Sequence, residues 1–334
     1  MKKLTSIILI VAVLCVLSLA VVSAQENTEF KYGHANATTY PYHLAGEAFA
    51  KFLSEESKGT LAVKIYPLGQ LGGEKDITEG LQLGTVDFQG SSIGVTATFV
   101  PILNILNLPF LFKGPDHFLK VMDSSSGKAL LSKAQEQGEK VGLRILAIAS
   151  PMFRVPMNNI RPIEKLEDFK GLRIRTMQVP MHMSAYKALG ATPVPLAFGE
   201  LYTALQTGVV DGNENGPATL AAMLFYEVQK YVSYLPVLSN GGIFLMSLKT
   251  WNKLDETQQN LVLDGVKVWI KSMDDEGLKQ DREALKFMEE KGTKISYPKD
   301  LTPFIESCKP VYDEFFANSP EEWVQIVKDI QAIE

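Results

Sequence analysis

Two arginines lie on the same face of one predicted strand, in the stretch "FKGLRIRTM" at residues 169–177. Arg173 and Arg175 alternate with apolar residues, which is the pattern of a β-strand with one charged and one apolar face. Guanidinium groups are planar and permanently charged, and each can direct two N–H donors at both oxygens of a carboxylate. The chemistry that these side chains suit best is the binding of an anion.

The sequence carries none of the common catalytic, phosphate-binding or metal-binding motifs. HExxH, GxSxG, GxGxxG and Walker-type loops are absent, there is no CxxC pair, and the four histidines lack metal-ligand spacing. The formal net charge is −5 and no basic run occurs, which argues against nucleic acid as a partner. We therefore expect a binding protein without metal or cofactor, whose anion site is a local positive pocket.

The first 24 residues have the three parts of a secretory signal peptide. Lys2 and Lys3 form the positive n-region, and residues 7–22 form an apolar run. We expect cleavage after Ala24 and export to the periplasm, with an uncleaved membrane anchor as the alternative. Beyond this segment no stretch approaches the roughly 18 apolar residues of a membrane span. Cys308 is the one cysteine there, so no intrachain disulfide is expected.

The elements that must position the arginines alternate between strand and helix. Residues 30–35 and 61–67 have strand patterns, and residues 44–53 carry apolar side chains at helical spacing. A second helix is predicted at residues 74–83, with Gly84 at the position of a C-terminal cap. This alternation predicts an α/β fold with parallel strands.

One short pattern occurs in each half of the chain, as "LQLGTVD" at residues 81–87 and "LQTGVVD" at residues 205–211. Each copy describes the end of a helix, a glycine cap and the entry to a strand. Junctions of this kind are common, so chance is the simpler reading. We favour two similar α/β lobes, each presenting a strand end to a shared cleft.

Lobe boundaries are predicted where the chain crosses from one lobe to the other. Residues 150–171 have the proline and asparagine content of a crossover, and a second crossing is expected near residues 239–244. A helix from Asp255 to about Lys291, with Gly277 as a candidate break, would exceed about 50 Å and could span both lobes. The predicted lobe I comprises residues 25–151 and 241–280, and the predicted lobe II comprises residues 152–240 and 281–334.

Residues 169–226 resemble the periplasmic solute receptors of tripartite ATP-independent periplasmic (TRAP) transporters, the DctP family. They combine the strand "GLRIR", the stretch "ALGATPVP", the helix "FGELYTALQTG" and the turn "VDGNEN", and the resemblance extends upstream through "YPLGQLGGEK". It implies a two-lobed α/β periplasmic binding protein (Venus flytrap) with a long helix bracing both lobes. Such a receptor closes on a small organic acid and delivers it to the small and large membrane subunits of a secondary transporter.

The resemblance also implies which residues of the second lobe contact the ligand. The second arginine of the strand pairs with the ligand carboxylate in such receptors; it is Arg175 here, at the carboxyl end of a strand. Arg154 matches a second arginine at the lobe crossing. Asn215 matches a hydrogen-bonding asparagine, Phe198 an aromatic residue of the cleft, and Gln178 is close enough to Arg175 to reach the ligand. The alternative roles are an ordinary arginine on the hinge surface for Arg154, a turn residue for Asn215 and core packing for Phe198.

The first lobe is expected to set the choice of substrate. The candidates follow its first and third strands: His34, Asn36, Tyr40, Ser91 and Ser92. Sialic acid receptors carry an acidic residue where this chain has the two serines. They carry a histidine where it has Pro236-Val237-Leu238. Both departures argue against sialic acid and leave dicarboxylates, uronates, other sugar acids and keto acids open.

Two other functions are compatible with these residues. A secreted α/β enzyme acting on an organic acid could use Arg175 as a substrate clamp with Asp211 and Glu214 as acid and base, although structural carboxylates around a turn are commoner. An ABC-type binding protein would share the closing cleft but have an ATP-driven partner. We expect Arg173 to be solvated or salt-bridged nearer the strand start, and a monomer is the default for such a receptor.

Overall fold

Two β-sheets, one in each lobe, form the framework of the protein. The computed structural model describes residues 27–149 and 152–334, so the predicted signal peptide and its cleavage site lie outside the described residues. Within those two ranges no helix is both long and apolar enough to cross a membrane. The predicted α/β class with two lobes is confirmed.

The first sheet belongs to lobe I. In spatial order its strands are β2 (Leu61–Tyr66), β1 (Thr28–Gly33), β3 (Phe88–Ser92), β11 (Gly242–Ser247) and β4 (Leu143–Ala149). The strand β1 is parallel to its neighbours β2 and β3, whereas β11 is antiparallel to β3 and β4. The carboxyl ends of β1 and β3 therefore lie at one edge, where the first-lobe candidates were expected.

The second sheet belongs to lobe II. In spatial order its strands are β12 (Lys294–Ser296), β9 (Tyr231–Ser233), β5 (Phe153–Asn158), β8 (Gly212–Asn215), β6 (Arg173–Thr176) and β7 (Thr192–Pro195), and β10 (Leu238–Ser239) pairs with β5. The strand β6 is parallel to β7 and β8, and β5 is antiparallel to β8. The chain returns to the first sheet between β10 and β11, within the predicted second crossing.

Helices cover the faces of both sheets. Their bounds are α1 Pro41–Glu56, α2 Glu74–Leu83, α3 Ile93–Thr96, α4 Pro115–Asp123, α5 Ser125–Lys140, α6 Pro180–Ala188, α7 Leu201–Gln206, α8 Pro217–Ala222, α9 Leu248–Trp251, α10 Glu256–Glu290, α11 Thr302–Ser307, α12 Lys309–Asn318 and α13 Glu321–Ala332. Short 3-10 turns occupy Pro101–Asn107, Leu166–Phe169, Phe198–Glu200 and Phe225–Glu227. The predicted helix at residues 74–83 is confirmed.

The repeated pattern marks equivalent junctions in the two lobes. Each copy ends a helix at a glycine with positive φ, 79° in the first and 70° in the second. Asp87 accepts a hydrogen bond from the backbone N–H of Lys31 at 2.8 Å, and Asp211 accepts one from the backbone N–H of Arg173 at 2.8 Å. In each lobe this aspartate therefore fixes the start of one parallel strand against the next, and both strands run toward the cleft.

The helix α10 braces the two lobes, as predicted. Asp255 and Gln258 form the expected capping box at its start, and the helix continues without interruption through Gly277, so the candidate break is absent. It packs on α1 of lobe I and on α8 of lobe II. A Cβ atom at Gly265 would lie 2.8 Å from the Phe49 ring, so glycine allows α10 to approach α1 this closely.

The C-terminal helices divide between the lobes. Phe304 of α11 packs in the core of lobe II. Ile326, Val327 and Ile330 of α13 form an apolar stripe that is buried in the core of lobe I. The final helix therefore lies with the first lobe, which differs from the expectation that all of residues 281–334 belong to lobe II.

Candidate functional site

A narrow cleft lies between the lobes, and residues from both lobes line it. The lobe I wall consists of Asn36, Tyr40, Tyr42, Glu74 and Ser92. The lobe II wall consists of Arg154, Arg175, Met177, Phe198, Asn215 and Thr219, and Asn240 lies at the crossing. The carboxyl ends of parallel strands in open α/β sheets are the usual position of a ligand site.

Arg175 is held rigidly at the carboxyl end of β6, where it is 2% exposed. Its Nε and Nη2 atoms donate to the Leu196 carbonyl at 3.0 and 2.7 Å. Its buried Nη1 atom has no hydrogen-bond partner among residues 27–149 and 152–334. Burial lowers the pKa of Arg175 to about 10, so the side chain stays charged at neutral pH. A fixed guanidinium with an unused buried donor is well suited to bind an anion.

Arg173 lies at the other end of the same strand and does not line the cleft. Its Nη2 and Nε atoms donate to the two carboxylate oxygens of Asp211 at 2.6 and 3.1 Å. The Arg173 side chain is 47% exposed. The expectation of a salt-bridged arginine near the strand start is confirmed. The hydrogen bonds from Arg173 lower the pKa of Asp211, which makes this residue a poor general acid.

Arg154 is the centre of a buried polar cluster on β5. Its Nε atom pairs with the carboxylate of Glu214. Its Nη1 atom donates to Asn240 Oδ1 at 2.6 Å, and its Nη2 atom donates to the Glu214 carbonyl at 2.7 Å and to Asn215 Oδ1 at 2.8 Å. A guanidinium has five N–H donors, so at most one remains for a ligand. The main geometric effect of Arg154 is to orient Asn215 and Asn240.

The charge of Arg154 is already balanced, whereas that of Arg175 is not paired with an adjacent carboxylate. Burial raises the pKa of Glu214, but Arg154 and His182 outweigh this effect and lower it to about 2. Glu214 is therefore a carboxylate at neutral pH and is held between Arg154 and His182, at 3.2 Å from His182 Nδ1. This arrangement leaves one cation in the second-lobe wall for an incoming anion.

Phe198 and Gln178 lie beside Arg175. The guanidinium carbon is 5.9 Å from the centre of the Phe198 ring, at the outer limit of a cation–π contact. Gln178 is exposed and lines an outer chamber, which shares Glu74, Arg175, Met177 and Phe198 with the cleft. The ring thus forms a wall between the two spaces, and Gln178 lies toward the mouth.

The lobe I wall carries groups that can bind hydroxyls. Ser92 Oγ donates to Glu74 Oε2 at 2.6 Å, and burial raises the pKa of Glu74. The hydroxyl of Tyr40 accepts from Asn240 Nδ2 at 3.4 Å, and burial raises the pKa of Tyr40 to about 12, so the phenol keeps its proton. Asn36 adds an amide with both a donor and an acceptor.

His34 and Ser91 do not line the cleft, which corrects their selection as candidates. Side chains alternate along a strand, so Ser91 faces the side of β3 opposite Ser92 and its buried Oγ is directed into the lobe. His34 is buried in lobe I with Nε2 3.1 Å from Nδ1 of His43. Burial and then His43 lower the pKa of His34 to about 3, so it is neutral.

The sequence analysis missed several residues of the cleft. They are Tyr42, Glu74, Met177, Thr219 and Asn240. A usable signal existed for Glu74, because it follows the glycines of "LGGEK" at the first position of a helix. None of these side chains forms a metal site: in the two described ranges no cluster of three His, Cys, Asp or Glu residues has ligand geometry.

Comparison with known families identifies the protein class. Residues 32–319 match the family model of the bacterial extracellular solute-binding proteins, family 7, also called DctP. The chain belongs to this family. The resemblance seen in the motif residues is therefore confirmed, and family 7 proteins are the solute receptors of TRAP transporters, not ABC-type proteins.

Several family 7 proteins are similar to this chain over most of its length. The sialic acid-binding periplasmic protein SiaP of Vibrio cholerae is 32% identical over 300 residues, covering 90% of this chain and 92% of SiaP. A TRAP receptor from Polaromonas sp JS666 bound to D-erythronate is 30% identical with a TM-score of 0.86, covering 92% and 99%. A Sulfitobacter receptor with bound β-D-galacturonate is 29% identical with a TM-score of 0.86, covering 91% and 99%. This family 7 chain is accordingly a solute-binding receptor of the TRAP type.

Proposed function

We propose that this family 7 receptor binds a polyhydroxylated monocarboxylate, a sugar acid, and that Arg175 holds its carboxylate. The observation that carries the proposal is the buried Nη1 atom of Arg175, which has a fixed orientation and no partner among the described residues. One carboxylate can take the unused donor and pair with the guanidinium of Arg175. Asn215 and the single remaining donor of Arg154 lie on the same wall and can assist.

The opposite wall supports the assignment to sugar acids over dicarboxylates. Glu74 is an acceptor for hydroxyl donors, and in its ionised form its negative charge repels a second carboxylate. Asn36, Tyr40 and Thr219 add neutral donors and acceptors, which match the hydroxyls of a sugar chain. The erythronate and galacturonate found in similar receptors have this chemistry: one carboxylate and several hydroxyls.

The remaining parts of the function follow the family. Family 7 receptors work with the membrane subunits of a TRAP transporter and are not enzymes. We extend both statements to this chain, which we place in the periplasm as a monomer after cleavage at Ala24. Against an enzyme, the two carboxylates that could act as acid and base are held in ion pairs, Asp211 with Arg173 and Glu214 with Arg154.

The proposed function is tested by identifying the bound acid. Receptor purified from the periplasm is denatured, and mass spectrometry of the released small molecules is expected to find a sugar acid. Calorimetry with D-erythronate, D-galacturonate and D-glucuronate should give one-to-one binding, and small-angle scattering should show compaction of the lobes. Chemical conversion of the acid would favour the enzyme, and a released dicarboxylate would contradict the sugar acid class.

Glu74→Gln is expected to make the receptor accept dicarboxylates. The change keeps the size of the side chain and removes its charge. For like charges about 6 Å apart at an effective dielectric constant of about 20, the repulsion removed is about 3 kcal/mol, so the diacid should gain at least about tenfold in affinity. The measurement is calorimetry with an aldonate and the aldarate of the same carbon chain, in wild type and variant.

The same pair of acids provides the control for this prediction. Ser92→Ala removes a hydrogen bond that lowers the pKa of Glu74, so the preference for the monoacid should remain at high pH but be lost at a higher pH than in the wild type. In the wild type the preference should shrink as the pH falls, because protonation of Glu74 removes the repulsion. An unchanged ratio of the two affinities in Glu74→Gln would show that this carboxyl does not select against diacids.

A further inference from the structure

The ring of His182 faces an oxygen acceptor at each nitrogen. Its Nδ1 atom is 3.2 Å from Glu214 Oε1, and its Nε2 atom is 3.1 Å from Asn107 Oδ1. The side chain is 1% exposed, so water does not take the place of either partner. Neither the sequence motifs nor the cleft lining singles out this histidine.

The identity of the second acceptor is fixed by its own surroundings. The Nδ2 atom of Asn107 donates to the Leu103 carbonyl at 3.1 Å, which leaves Oδ1 directed at the ring. A neutral imidazole has one N–H and one bare nitrogen. With a single proton, His182 can therefore satisfy Glu214 or Asn107, and the other contact places two lone pairs about 3 Å apart. With two protons both contacts are hydrogen bonds.

The two acceptors belong to different lobes. Glu214 lies on β8 of lobe II, and His182 lies on the helix α6 of the same lobe. Asn107, in contrast, is the last residue of a 3-10 turn that packs in the core of lobe I. Within lobe II alone one proton is enough, because Nδ1–H can donate to Glu214. The approach of lobe I adds the Asn107 oxygen and creates the need for a second N–H.

We propose that His182 takes up a second proton when the lobes close on a carboxylate, and that the resulting imidazolium joins Glu214 to Asn107 across the lobe boundary. His182 is thus a positioning residue, because it acts on the ligand through Glu214 and Arg154. The proposal rests on the proposed carboxylate function. It adds a proton to the binding equilibrium, so ligand affinity depends on pH.

The charges around His182 explain why the proton arrives with the ligand. Burial lowers the pKa of His182, Glu214 raises it, and the nearby cations Arg154 and Arg175 lower it. A carboxylate bound at Arg175 offsets the effect of these cations, so the pKa of His182 is higher with ligand than without. The affinity for the acid is highest at pH values below the pKa of His182 in the free receptor. It declines as the pH rises from there through the pKa of His182 in the complex, by up to about tenfold per pH unit.

The test is a count of protons taken up on binding. Calorimetry with D-galacturonate, D-glucuronate or D-erythronate at several pH values between 5 and 8, each in two buffers with different enthalpies of ionisation, should show a net uptake of up to about one proton in the wild type within this range. His182→Gln and Asn107→Leu should bind more weakly, with clearly less proton uptake and a shallower pH profile than the wild type, the remainder coming from Glu74. His117→Gln alters another buried histidine, in α4, and should behave as wild type. No uptake in the wild type, or full uptake in His182→Gln, would overturn the proposal.

A ligand-free measurement separates failure of this inference from failure of the proposed function. If no carboxylate is released from the purified receptor and none of the three acids binds, the carboxylate function is wrong, and His182 is then judged from scattering of the free receptor at pH 6 and pH 8. Compaction at pH 6 in wild type and His117→Gln, but not in His182→Gln, would support the proton link between the lobes. Identical profiles in all three proteins would overturn it.

Discussion

Arg175→Ala is expected to remove most of the affinity of the receptor for its acid. Arg175 is the buried cation whose Nη1 atom lacks a partner among the described residues, and truncating one member of a buried charged pair typically costs about 2–5 kcal/mol of binding. This corresponds to a loss of roughly 30- to 5,000-fold. Calorimetry with the acid released from the wild type measures it, and Arg175→Lys should fall between the two because ammonium lacks the two-pronged geometry.

Arg173→Ala is the matched control for this prediction. It removes the same side chain from the same strand, two residues earlier, but Arg173 is half exposed and its pair with Asp211 lies outside the cleft. Exposed pairs contribute about 0–1 kcal/mol, so binding should stay within about twofold of the wild type. If the two alanine variants bound equally well, or if Arg173→Ala alone lost binding, the assignment of the carboxylate to Arg175 would be wrong.

The different positions of Arg175 in the cleft and Arg173 outside it were predictable, because residues close together in the chain determine the direction of a strand. The glycine-capped junctions fix where parallel strands begin, and a strand of four residues then has one end in the cleft and the other outside it. The capping box of α10 is local in the same way, since Asp255 and Gln258 are three residues apart. The two lobes and the bracing helix follow from such short-range patterns, whereas the residues of the second-lobe wall were expected from the resemblance to the DctP family.

The contacts that the sequence did not predict join residues far apart in the chain. Arg154 and Asn240 are separated by 86 positions, and His182 and Asn107 by 75. No periodicity or motif specifies such pairs, because they depend on how two lobes are placed against each other. The error at Ser91 has a different origin: adjacent strand residues face opposite sides, and the register of β3 decides which serine reaches the cleft.

Arg154→Met is expected to destabilise the receptor by about 3–5 kcal/mol, because it leaves the carboxylate of Glu214 buried without its main partner. The double variant Arg154→Met/Glu214→Gln should recover much of this loss, since removing both charges leaves none uncompensated. In the wild type, the low pKa of Glu214 adds stability that is present above the unfolded value of roughly 4.3 and is lost as the pH falls toward 2. In Arg154→Met the pKa of Glu214 rises, so the variant should instead gain stability as the pH falls from 8 to 5.

Denaturant unfolding of the wild type, Arg154→Met and the double variant at pH 8 and pH 5 measures both effects. Equal destabilisation of single and double variants would mean that Arg154 stabilises the fold through packing and its asparagine contacts, not through Glu214.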